Sequence, residues 1–228
     1  MSDQRTSEIT QPTSDGVARQ LGRQVEDATR NYRGGTEKAE LAKGHPDFNE
    51  QLYGLYDKLA AEQALRLPIL QRPAWKTIKL GTGLKTSKDF ISAIEKAGGK
   101  VSDWARNILG RKAFTASTKP MELDLVVVSV AELGFPDGAT LKDIYAKAKT
   151  FGLELCPCEV GPQLRLQYMD QPNGEWLLVA MEPIAVSDGD PFVFYVVHDA
   201  DARWLFTGYG NPDHVWIGHY RWVFVRRK

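Results

Sequence analysis

The apolar rhythm of this chain changes at Gly152, and that change limits the folds open to it. Between Thr140 and Phe151, the residues Leu141, Ile144, Tyr145, Ala148 and Phe151 recur at the three-and-four spacing of one helical face. Past Gly152 the apolar residues fall into short runs. These are divided by the turn formers Gln171-Pro172-Asn173-Gly174, Ser187-Asp188-Gly189-Asp190, Asp199-Ala200-Asp201 and Gly210-Asn211-Pro212-Asp213. The pattern predicts strands near 164–169, 175–182, 192–198, 203–208 and 215–226. Successive strands joined by short polar turns pair antiparallel, so a meander is expected, with helices over one face.

Ahead of that point the signals are mostly helical. Residues 1–45 are polar with few large apolar side chains and read as a flexible arm, because they bury too little surface to offset the entropy of ordering. After His45-Pro46, Leu52, Leu55, Tyr56 and Leu59 mark one helical face, which ends before Pro68. Thr86 and Asp89 have the spacing of a capping box, and Phe90, Ile91, Ile94 and Ala97 form the stripe behind it. Gly98-Gly99 stops that helix, and Ser102 can cap another, DWARNILGRK. The β-branched run Leu123–Val130 predicts a buried strand. The expected class is α+β: a helical N-terminal half, then a C-terminal antiparallel meander sheet packed against helices. The expected divisions are an arm over 1–45, a basic helical region over 46–120 and an α+β domain over 121–228.

No apolar run approaches the length of a membrane span, and the start, MSDQRTSEITQPTSDG, lacks the basic and apolar regions of a secretory signal. A cytoplasmic protein with no membrane partner is the expectation. Formal charge is zero, yet residues 74–120 carry ten basic and three acidic side chains while 121–200 carry four and thirteen. Such a division suits an anionic partner for the basic stretch, or docking of the two stretches on each other. The helix pair over 86–112 has the outline of a helix-turn-helix. A nucleic acid bound there would meet Lys85, Lys88, Arg106, Arg111 and Lys112. Trp104 and the double glycine depart from that motif, which favours a helical hairpin with a solvated basic face.

Motifs that carry chemistry are few. Cys156 and Cys158 flank a proline, but there is no second cysteine pair and only four histidines exist, so neither a metal nor a cofactor is expected. His214 and His219 would face opposite ways on a shared strand. Arg165, between Leu164 and Leu166, fits the solvated face of a strand or an anion site. A hydrolase or nuclease on the C-terminal sheet would use Arg165 as positioned charge and His219 as general base. Aromatic residues crowd the C-terminal stretch: Phe192, Phe194, Tyr195, Trp204, Phe206, Tyr209, Trp216, Tyr220, Trp222 and Phe224. They read as core for the covering helices. With no catalytic motif in view, the leading expectation is a soluble binding or interaction protein with a protein partner. Nucleic-acid binding through 74–120 and enzymatic activity are the alternatives.

Overall fold

A computed structural model describes residues 69, 71–199 and 202–226. They belong to the unit Leu65–Lys228. The predicted arm over 1–45 and the predicted helix bearing Leu52 and Leu59 lie outside the described residues.

Local capping sets the helices. Helix α1 (Ser87–Lys96) begins at Thr86, whose hydroxyl accepts the Asp89 amide while the Asp89 carboxylate accepts the Thr86 amide at 2.8 Å. These backbone donors hold the Asp89 carboxyl below its ordinary range. Ser102 caps α2 (Asp103–Leu109), and Thr140 caps α3 (Leu141–Thr150), which runs out at Gly152 with φ of 73°. The fourth helix, α4 (Val160–Gln167), occupies a segment expected to be strand. Its residues from Val160 to Arg165 are all buried, polar and apolar alike, so that stretch has no solvated face to produce a helical stripe. The alternation of Leu164, Arg165, Leu166 and Gln167 imitates a strand, and Pro162 sits in the first turn, where a missing amide does no harm.

The strands are β1 (Lys76–Leu80), β2 (Gly99–Val101), β3 (Met121–Ser129), β4 (Ala139–Thr140), β5 (Leu153–Glu154), β6 (Trp176–Val179), β7 (Ile184–Ala185), β8 (Pro191–Asp199), β9 (Ala202–Tyr209), β10 (Val215–Trp216) and β11 (Arg221–Arg226). The main sheet runs β1-β3-β11-β6-β8-β9-β2, with β5 added beside β11 and β7 beside β8, and it curls as a half-barrel. Strands β4 and β10 form a separate pair.

This corrects the expected fold class. The sheet is mixed, since β6 lies parallel to β11 and β2 parallel to β9. It is not confined to the C-terminal stretch either, and a helical N-terminal half is not what the described residues form. β1, β2 and β3 all belong to it. Strand β11 leaves the meander and inserts between β3 and β6, as its four consecutive buried residues Trp222–Val225 require cover on both faces. Between α1 and α2 the presumed glycine turn is strand β2, which closes one edge.

Strand register fixes two faces. Trp222, Leu178, Tyr195 and Phe206 lie opposite one another in turn and share the outer face; Leu177, Val196, Leu205 and Val101 share the inner one. Helix α3 covers part of the outer face through Tyr145, whose ring meets Trp222 at 5.8 Å. On the inner face α4 sits against β8 at Gly161, where an added Cβ would fall 2.5 Å from the Phe194 ring. Gly161→Ala is therefore expected to destabilise the protein by about 2 kcal/mol. Urea denaturation measures it, and Phe194→Leu should recover part of the loss; a Gly161→Ala variant as stable as wild type would contradict the close approach. The free edge of β1 is closed by α4, because Gln167 accepts the Lys79 amide at 2.9 Å and donates to the Lys79 carbonyl at 2.8 Å. No helix among the described residues is long and apolar enough to cross a membrane.

Candidate functional site

Where α3 ends its cover, the outer face carries a row of half-exposed rings. Trp176 on β6 stacks on Tyr195 of β8 at 5.6 Å and 9°, and Tyr195 stacks on Phe206 of β9 at 5.5 Å and 13°. Phe206 in turn meets Trp204 at 5.0 Å, and the Lys100 ammonium lies 5.0 Å from the Trp204 ring. Burial, with Tyr220 nearby, pushes the Tyr195 phenol above its ordinary range. Trp176 ends the row 52% exposed.

Trp176 also lines a pocket of about 650 Å³ with Asn173, Glu175, His219, Tyr220 and Arg221. Glu175, one of the lining residues, is held at both carboxylate oxygens. One carboxylate oxygen accepts from Arg221 at 2.8 Å, and the other accepts the Tyr168 hydroxyl at 2.6 Å. Burial and this bond to Glu175 push the Tyr168 phenol well up. In the same lining the His219 ring stacks on Tyr220 at 4.9 Å.

Beneath lies a buried polar network that fixes the 168–175 turn. Arg165, 2% exposed on α4, donates to the Gln171 side-chain oxygen at 2.6 Å and to the Tyr168 carbonyl. Gln171 passes the constraint on by donating to the Glu175 carbonyl at 3.0 Å, while His198 Nδ1 lies 2.6 Å from the Gln171 carbonyl. Burial, and then the like charge of Arg203, push the Arg165 guanidinium down to about 10. It therefore keeps its charge at neutral pH, although its Nε meets no acceptor.

The sequence-predicted residues separate accordingly. Arg165 is not on a solvated strand; it is buried under the pocket, and no hydrogen bond joins it to His219, which is exposed on the turn between β10 and β11. Of the five basic positions, Arg106 is used within the fold, pairing with Glu95 and donating to the Val101 carbonyl, and Arg111 donates to Asn107. Lys85, Lys88 and Lys112 are exposed. Cys156 is buried, with its thiol pushed far up by desolvation, and Cys158 accepts the Thr115 amide at 3.3 Å. Among the described residues no three His, Cys, Asp or Glu gather as metal ligands.

Trp176 escaped the sequence reading, and Glu175 and Arg221 are residues that the sequence allows on one sheet face without fixing the register that pairs them. A signal for the row does exist: a hairpin whose pairing closes at Asp199 and Ala202 sets Tyr195 opposite Phe206. Comparison of the chain with protein-family models, with curated proteins and with solved structures finds no match.

Proposed function

We propose that the chain is a binding protein whose contact surface is the outer face of β6, β8 and β9 together with the pocket beside Trp176. The observation that supports this reading is a half-exposed indole held rigid by ring stacking at the mouth of a polar pocket. Large aromatic side chains anchor interfaces because they bury much area for little loss of rotamer freedom. Here Tyr195 and the Glu175 network hold the groups in place before any partner arrives, which lowers the entropy lost on binding.

The test compares the full-length wild type with Trp176→Ala and Trp104→Ala as baits for a cell extract, alongside sizing of each pure protein. Trp104 is the control, since it is 49% exposed but stacks on Phe192 at 5.3 Å, away from the pocket lining. Wild type and Trp104→Ala should retain the same material, and Trp176→Ala about tenfold less. Equal retention by all three, or a monomer that retains nothing, would count against the reading.

A further inference from the structure

We propose that the pocket beside Trp176 takes one neutral pyranose ring of a carbohydrate, an assignment that rests on this face being a binding surface. The stacking itself limits what can bind. Within the row each ring uses a face on its neighbour, and the Trp204 end is taken by Lys100. What remains is the Trp176 indole, which lines the pocket. A single-stranded nucleic acid binds such surfaces by laying successive bases on successive free rings, and that succession is missing here.

Charge narrows the class further. The Glu175 carboxylate and the Arg221 guanidinium neutralise each other at 2.8 Å, and Tyr168 also holds that carboxylate, so the pair offers an anionic ligand no net positive charge. A neutral ligand leaves that pair intact. The hydrogen-bonding capacity left over lies at the rim: the remaining N–H groups of Arg221, the side-chain amide of Asn173 and the imidazole of His219 make no hydrogen bond within the described residues. These are planar groups able to address adjacent hydroxyls. A pyranose has one face of C–H bonds, which suits the electron-rich face of an indole, and a rim of hydroxyls, which suits these donors and acceptors. The other rings of the lining, His219 and Tyr220, already stack on each other. A flat nucleobase would thus gain only one aromatic face, whereas a sugar needs only one. A pocket of about 650 Å³ has room for one or two such rings.

The experiment is an NMR titration of full-length protein carrying labelled tryptophan side chains, with methyl glycosides of glucose, galactose, mannose and N-acetylglucosamine, and with adenosine and guanosine in parallel. The Trp176 indole signal is identified by its loss in Trp176→Ala. At least one glycoside should shift that signal saturably, with a Kd of about 1–10 mM. Asn173→Ala, a turn residue with no hydrogen bond of its own to lose, should weaken the interaction several-fold without altering Tm; Trp104→Ala should leave it unchanged. No shift with any glycoside would overturn the proposal, as would shifts with the nucleosides alone. Either result would leave standing a Trp176-dependent retention from extract, so the two readings fail separately.

Discussion

Replacing Glu159 by alanine is expected to lower the folding free energy by about 4 kcal/mol. Glu159 is fully buried and has no ion-pair partner among the described residues. Its charge is held by N–H groups alone. One carboxylate oxygen accepts the Gly81 amide at 3.0 Å and the Gln163 side-chain amide at 3.1 Å; the other accepts the Ser117 amide at 2.7 Å. These donors belong to the end of β1, to α4 and to the loop entering β3, so one side chain fastens three segments. Gln163 keeps a second bond, to Thr82 at 2.7 Å, but the half-buried Gly81 and Ser117 amides would lose their acceptor. Each such donor costs about 1–3 kcal/mol, and the vacated volume adds to the loss. Glu159→Gln should lose about half as much, because its NH₂ would face an N–H donor on one side while its oxygen still accepts on the other. Glu122→Ala, at an exposed pair with Lys79 3.9 Å away, is the control and should change stability by about 0.5 kcal/mol or less. Urea denaturation of the three variants decides the matter, and a Glu159→Ala loss no larger than the control's would rule out the clamp.

Such a clamp cannot be read from sequence, because nothing local pairs Glu159 with Gly81 and Ser117. What was legible is what depends on neighbours along the chain. Thr86 with Asp89, Ser102, Thr140 and Gly152 mark helix ends through bonds spanning a few residues, and all four act as expected. The β8–β9 hairpin is legible for the same reason. The insertion of β11 between β3 and β6 depends on which strands need covering on both faces, which is a property of the whole sheet. Helix α4 was misread because complete burial removes the periodic contrast that reveals a helix. The site failed in a related way. Aromatic composition favours core, but of the ten C-terminal rings only Phe194, Trp216, Trp222 and Phe224 are buried. Trp222, Phe224 and Phe194 are fully buried, while Trp176, Tyr195, Trp204 and Phe206 stay partly open because α3 covers only one stretch of the outer face. Exposure of that kind is decided by where a covering helix ends.

Arg165→Ala should cost about 3 kcal/mol or more and should also loosen the pocket above it. A buried guanidinium is ordinarily matched by a carboxylate, yet Arg165 is matched by neutral oxygens: the Gln171 side chain at 2.6 Å, the Tyr168 carbonyl, and the Val197 carbonyl at 3.4 Å. Removing it takes the guanidinium donors from the Gln171 and Tyr168 oxygens and opens a cavity beneath the 168–175 turn. Arg165→Lys keeps the charge, but a single ammonium lacks the guanidinium's fork and should serve fewer of these acceptors, so an intermediate loss is expected. Arg165→Met restores volume without donors, and it separates the packing loss from the hydrogen-bond loss. The effect should reach the site because Gln171 and Tyr168, both held by Arg165, hold the Glu175 carbonyl and carboxylate in turn. Amide exchange at Gly174 and Glu175, whose amides otherwise bond to the His198 and Pro172 carbonyls, should therefore quicken in Arg165→Ala by more than the global loss of stability explains. Retention that depends on Trp176 should weaken with it. If exchange at these two amides merely tracks global unfolding, Arg165 packs the interior without setting the pocket; if stability is unchanged, the buried network has no hold on the fold at all.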